Sequence, residues 1–230
     1  QEGLLEFLLM IVSETKDYVA VFKPNFAYFE VLGASGVEVL QELIQKIPQG
    51  IPVIGDAKRG DVGHTAQMYA RSVFETIGCD AVTVTPYQGE DALRPFFDYT
   101  DRGVFVLCLT SNPGAVDFQL PDLYLQVAKK VQEWNVSGNA GLVVGATRSD
   151  KIAAVRKISG QMPFLIPGVG SQRGELKNTL LFAEDGSRIP YLINASRSIL
   201  YASSGEDFAQ QAGNAAKELR DQINLCRSFL

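Results

Sequence analysis

Two lysines and two aspartates carry the first chemical signal in this chain. Lys58 lies between Asp56 and Asp61 in the stretch VIGDAKRGD (53–61), and Lys23 closes an earlier apolar run. Exposed ion pairs contribute only ~0–1 kcal/mol, so stability is a weak reason to end a burial-seeking run in such a cluster. Alternating charges inside a pocket keep lysines protonated and aspartates ionised. A lysine held in that state can deliver a proton to carbon, and an anchored carboxylate beside it repels a carboxylate on a substrate. Asp56 and Lys58 are two positions apart, which on an ideal strand points both side chains to the same side. Asp61 lies beyond the strand, placed to reach back or across to another subunit. Spacing alone leaves a solvated loop of charges as the alternative.

A second signal suits a phosphate. In PGVGSQRG (167–174), Gly168 and Gly170 let backbone N–H groups approach an anion. Gln172 can donate through its amide, and Arg197, in NASRS (194–198), offers the planar fork that fits phosphate oxygens. The alternative is a tight turn with a surface arginine. Nucleophilic routes are poorly supplied. The single histidine, His64, excludes a histidine metal cluster, there is no GxSxG elbow, and GVGSQRGE lacks the dinucleotide-binding spacing. His64 reads as a residue of the loop at a helix start. Trp134, Tyr69 and Phe74 read as packing residues.

The elements that must position these groups alternate regularly. Short β-rich runs occur at 18–23, 51–58, 80–86, 103–111, 140–146, 163–169 and 191–196, mostly continuous apolar stretches of the kind covered on both faces. Helical spacing appears at 35–47, 65–77, 122–134, 149–158 and 205–229. Seven βα units predict a parallel sheet with helical crossovers. Eight would close a β/α barrel, in which chemistry sits at the C-terminal strand ends and phosphate often binds after the last two strands. Lys23, Asp56 with Lys58, TSNPGA (110–115), PGVGSQRG and NASRS all fall at such ends. The opening segment, QEGLLEFLLMIVSETKD, reads as a helix with no strand before it. The expectation is a single barrel domain over 1–230 whose first strand lies upstream of residue 1. An open doubly wound sheet is the rival fold.

Composition narrows the class. With 230 residues, 46% hydrophobic and 20% charged, the chain has an ordinary globular balance. A net charge of −5 argues against a nucleic-acid surface, though a local basic pocket for a phosphate remains compatible. No apolar run approaches the roughly 18 residues of a membrane span, and LLEFLLMIV lacks the basic flank of a signal peptide. The three cysteines show no metal-type spacing and read as reduced thiols of a cytoplasmic protein.

These segments resemble a known family. DAKRGD followed by Thr65 matches the DxKxxDxxxT motif of the orotidine 5′-phosphate decarboxylases. FKPNFAYFE (22–30), TPYQGEDAL (85–93), TSNPGA, VVGAT (143–147), IPGVGSQ (166–172) and NASRSILYA (194–202) are similar to that family's bacterial-type second subgroup, in order along nearly the whole chain. The resemblance implies a homodimeric β/α barrel with shared active sites and no metal or organic cofactor. It would convert orotidine 5′-phosphate to uridine 5′-phosphate and carbon dioxide, the last step of de novo pyrimidine synthesis. By the same resemblance, Lys58 protonates C6, Asp56 faces the substrate carboxylate, and Lys23 completes the array and contacts the ribose. Asp61 and Thr65 enter the neighbouring subunit's site, Ser111 bonds the pyrimidine's amide edge, and Gln172, Arg197 and the backbone near Gly170 grip the phosphate.

One departure stands out. The family's first strand ends in an aspartate that contacts the ribose, and nothing here supplies it, in line with a strand upstream of residue 1. Another possibility is that the full protein is longer, since some members of the family are fused to orotate phosphoribosyltransferase. Two rivals remain at this point. One is a magnesium-dependent sugar-phosphate decarboxylase or aldolase sharing the DxKxxD core, against which TSNPGA and KPNFAYFE argue. The other is a catalytically dead barrel acting as a binding module, which would be free to lose Lys23, Asp56, Lys58, Asp61 and Arg197.

Overall fold

The architecture was read from a computed structural model that describes residues 2–169, 173–183 and 190–228. The apolar runs form short strands: β1 Ile54–Arg59, β2 Ala81–Val84, β3 Gly103–Leu109, β4 Ala140–Val144, β5 Phe164–Pro167 and β6 Tyr191–Asn194. Both β2 and β4 are buried at every position, as strands covered on two faces require. All pair in parallel, each with its successor in sequence, in the order β1-β2-β3-β4-β5-β6. A doubly wound sheet reverses its order at a switch point. No such reversal occurs among the described residues, so the arrangement is that of a β/α barrel.

The helices are α1 Glu2–Thr15, α2 Ala27–Glu30, α3 Ala34–Lys46, α4 Gly63–Arg71, α5 Glu90–Phe97, α6 Ala115–Phe118, α7 Leu123–Trp134, α8 Ser149–Ser159, α9 Arg173–Ala183, α10 Arg197–Leu200 and α11 Phe208–Arg227. The helix expected over 65–77 begins at Gly63 and changes to π-type winding over Ser72–Ile77. Two crossover helices, α5 and α9, are additional to those legible as helical spacing; Pro95 sits inside α5. α1 returns to pack on α11, with Phe7 and Phe208 stacked at 4.9 Å.

The strand expected over 18–23 needs correction. It forms no continuous ladder and touches β1 through two isolated parallel bridges, Phe22 with Val53 and Asn25 with Asp56. Pro24 lies between them and has no N–H to donate, which interrupts a ladder. The segment still holds its place, since Ile54 donates to the Phe22 carbonyl at 2.8 Å and Asp56 to the Pro24 carbonyl at 2.9 Å. Among the described residues, no strand pairs with the outer side of β6, whose four positions are all half-buried. The barrel formed by these residues is incomplete on that side.

Two apolar cores flank the sheet. The larger joins helices to the outer strand faces, through residues such as Val82, Val84, Val104 and Val106. The smaller fills the barrel interior: Ile54, Ala81, Phe105, Val143 and Leu165, with Val21, Leu107 and Leu192 packed against them. Every successive strand, and the bridged segment before β1, therefore contributes to one interior apolar layer.

Candidate active site

Strand alternation raises the site directly above that layer. Two positions on from Val21, Ile54 and Ala81 stand Lys23, Asp56 and Thr83, on the same face of their strands. The three meet. Lys23 Nζ donates to Asp56 Oδ2 at 2.6 Å, and Thr83 Oγ1 donates to Asp56 Oδ1 at 3.0 Å. Lys58 Nζ donates to the same Oδ1 at 2.5 Å. The side chains of Lys23 and Asp56 are 10% exposed, that of Lys58 50%. The array is therefore rooted in the interior, with one ammonium presented to the open end.

Lys58 reaches Asp56 by a route other than ideal strand alternation. The β1–β2 register shifts between Gly55 and Arg59, and Lys58 takes a left-handed backbone with φ of 47°. It is the one non-glycine residue with positive φ among the described residues. Such a conformation costs an L-residue about 1–2 kcal/mol. The Lys58 N–H is taken by Thr83 Oγ1 at 3.0 Å. Next in sequence, Arg59 lies over the rings of Tyr69 and Phe26 and pairs with Glu30, tying the end of β1 to α2 and α4.

Charge and burial oppose each other at Asp56. Burial pushes its pKa up, but the charge and hydrogen bond of Lys23, followed by those of Lys58, outweigh it and hold the carboxyl below the ordinary aspartate range. Asp56 is thus ionised and Lys23 and Lys58 are its counter-charges, as the alternating pattern predicts.

The remaining candidates lie around this centre. Asp61 does not join the array: its Oδ1 accepts the neighbouring Val62 N–H at 2.8 Å, and it forms no ion pair among the described residues. Thr65 is exposed in the first turn of α4, as is His64, whose Nδ1 lies 3.3 Å from Gln67 Oε1. Ser111 follows β3, its carbonyl accepting from Thr147 Oγ1 at 3.2 Å. Gly145 explains the close approach there, since a Cβ would come within 2.8 Å of the Ser111 amide nitrogen. Gly168, with φ of 84°, would put a Cβ 3.5 Å from Ser111 Oγ, so the loops after β3, β4 and β5 converge on one serine. The Thr110 N–H before it is held by Gln119 Oε1 at 2.7 Å. Gly170 and Gln172 lie outside the described residues. Arg197 opens α10 directly after β6, exposed and without a side-chain partner among the described residues.

Thr83 was not among the expected site residues. Its signal was available: it is the one polar residue of β2, two positions beyond an interior alanine. The cysteines take no part. Cys79 and Cys108 are buried free thiols, each pushed up to about 12 chiefly by burial. No group of three or more His, Cys, Asp or Glu side chains that could hold a metal occurs among the described residues. No helix among them is long and apolar enough to cross a membrane.

Fold and site together define a class: a β/α barrel whose strand ends carry a lysine–aspartate array above an apolar interior. Comparison with known proteins resolves the class further. The chain belongs to the orotidine 5′-phosphate decarboxylase / HUMPS family, whose model matches residues 5–212. It is 49% identical to an orotidine 5′-phosphate decarboxylase of Roseiflexus castenholzii, over 97% of this chain and 84% of that protein. Among solved structures it resembles the OMP decarboxylase of Leishmania donovani, with a TM-score of 0.90, 41% identity, and 99% and 88% of the two chains covered. It also resembles the UMP synthase of that organism at 43% identity and a TM-score of 0.90, covering 98% of this chain and 51% of that one.

Proposed function

We propose that this protein decarboxylates orotidine 5′-phosphate to uridine 5′-phosphate and carbon dioxide, in the pyrimidine pathway. The observation that carries the reading is the array in which one buried carboxylate, Asp56, holds two ammonium groups at the end of β1. The C6–carboxylate bond breaks with its electron pair left on C6, where the ring delocalises it poorly. The Lys58 ammonium stabilises that developing charge electrostatically and then transfers a proton from Nζ to C6. Carbon dioxide leaves, and Lys58 regains its proton from solvent, to which its side chain is 50% exposed. Asp56 faces the substrate carboxylate, and Lys23 keeps Asp56 ionised while reaching the ribose. Ser111 holds the amide edge of the pyrimidine. Gln172, the backbone at Gly170, and Arg197 grip the phosphate, and this remote binding offsets the crowding of carboxylates at C6. The cations that the reaction needs are lysines, so neither a metal nor an organic cofactor is required.

The protein acts as a homodimer in the cytoplasm. Asp61 is turned from its own array and Thr65 is exposed, which suits residues that enter a partner's site. Tyr28, Val31, Leu32, Val62, Met68 and Tyr87 are exposed apolar residues in the segments that follow the bridged stretch, β1 and β2, and exposed apolar surface there favours burial against a second copy.

The test is conversion of orotidine 5′-phosphate followed by ultraviolet absorbance with excess chelator present. Turnover to uridine 5′-phosphate is expected. Folded protein that turns over only when magnesium is restored, or only a sugar phosphate, would overturn the reading.

A further inference from the structure

A threonine hydroxyl 1% exposed inside a barrel must find partners for its donor and its lone pairs, or its burial is costly. Thr83 Oγ1 finds two, and they belong to the two residues that the chemistry needs. It accepts the Lys58 N–H at 3.0 Å and donates to Asp56 Oδ1 at 3.0 Å. A hydroxyl has one proton to give and lone pairs to receive with, so both bonds form at once.

The geometry makes these bonds more than burial compensation. Between Gly55 and Arg59 the pairing of β1 with β2 slips, so regular register with β2 is lost at Lys58. There the backbone turns left-handed, a conformation that persists in a side-chain-bearing residue only where its surroundings fix it. The Thr83 hydroxyl is the partner that receives the N–H of the strained residue. Through its proton it also fixes the carboxylate. Oδ1 lies toward Thr83 and Lys58, and Oδ2 is left to Lys23 at 2.6 Å. One oxygen atom on β2 thereby sets the backbone of the proton donor and the orientation of its counter-ion.

We infer that Thr83 is the positioning residue of this site: its hydroxyl holds the Lys58 backbone in the turn that brings the ammonium onto Asp56. The inference rests on the decarboxylase reading above. Thr83 does not itself touch the substrate; its effect passes through Lys58 and Asp56. Its loss therefore falls on the chemical step, while the distant phosphate contacts, and with them substrate binding, are spared.

The experiment compares wild type with Thr83→Val and Thr83→Ser. Valine keeps the shape and removes both hydrogen bonds; serine keeps the hydroxyl and removes the methyl. Misplacing a reacting group by ~1 Å costs about 10²-fold in rate, and a loss in the chemical step alone shows in kcat with KM little changed. The expected result is a kcat lowered about 10²-fold in Thr83→Val with KM within about threefold, and recovery of most of that loss in Thr83→Ser. A Thr83→Val kcat within about threefold of wild type, or a serine variant no better than valine, overturns the inference. Should Thr83→Val not fold, as judged by circular dichroism, Thr83→Ala against Thr83→Ser gives the same comparison, since both lack the methyl and differ in the hydroxyl. Absence of turnover by wild type would sink the decarboxylase reading instead. Crystal structures of wild type and the variant then decide the positioning role alone: Lys58 is expected to leave its left-handed conformation, and an unchanged Lys58 backbone with Nζ still on Asp56 overturns it.

Discussion

One carboxylate holds two ammonium groups, and most of the residue-scale behaviour follows from that ratio. Lys58→Ala removes the proposed proton donor and leaves Lys23 to neutralise Asp56. Turnover is expected to fall by at least the 10²–10⁴-fold typical of a lost general acid, with the circular dichroism spectrum retained; activity above a few per cent would remove Lys58 from the role. Asp56→Ala is different in kind, since it strands Lys23, whose side chain is 10% exposed. Removing one partner of a buried pair costs about 3–5 kcal/mol, so urea unfolding of this variant is expected to show a loss of that order. The lowered pKa of Asp56 also fixes a pH dependence. Its stabilising contribution is complete above the ordinary aspartate value, about 3.9 in an unfolded chain, and is lost as pH falls through the lower folded value. The melting temperature of wild type is therefore expected to fall more steeply than that of Asp56→Asn on acidification below that range. Charged residues at this site were legible because their types are rare in an apolar setting. Thr83 was legible only as the one polar residue of an otherwise apolar strand; threonine is an ordinary strand former, and the sequence does not show that its hydroxyl serves another strand. The left-handed Lys58 was hidden for a similar reason: lysine carries no preference for that conformation, and the neighbouring strand imposes it.

The six strands, and the helices that pack on them, were readable to the extent that burial alone dictates them. β2 through β6 fall inside the apolar runs, and α3, α7, α8 and α11 follow the helical spacing within a few residues at either end. Departures occur where a proline intervenes or an element is short: Pro24 reduces a strand to two bridges, and Pro95 masks α5. Arg156 shows what holds such elements in register without entering the chemistry. It is 2% exposed on α8, its Nε donating to the Ala183 carbonyl and its Nη1 to the carbonyls of Gly160 and Met162, with its guanidinium 3.5 Å over the ring of Phe164. It thus joins α8 to α9 and to β5. Arg156→Ala leaves the buried carbonyls of Ala183 and Met162 without those donors, at about 1–3 kcal/mol each. Its expected signature is a fall in stability of at least about 2 kcal/mol, by urea unfolding, with kcat/KM unchanged at a temperature where the variant is folded.

Across the whole molecule, the apolar interior layer and the charged layer above it divide the barrel into an apolar floor and a charged end, and exposed apolar residues form a rim in the segments that follow the bridged stretch, β1 and β2. If the rim meets a second copy, two inactive variants can complement each other. A mixture of Lys58→Ala and Asp61→Ala subunits forms some dimers in which one site keeps both residues. Random pairing puts half the molecules in mixed dimers with one sound site of two, about a quarter of wild-type activity; a mixture as inactive as its parents would count against the shared site. The reach of Thr83 across strands carries a different consequence, for transplantation. Residues 56–61 form a compact cassette that invites grafting onto another barrel. Moved alone, they would carry Lys58 into a host with no hydroxyl to receive its N–H, and the lysine would relax away from its carboxylate. The smallest portable unit is discontinuous: two adjacent strands in their slipped register, with a threonine 25 positions downstream of the lysine it steadies.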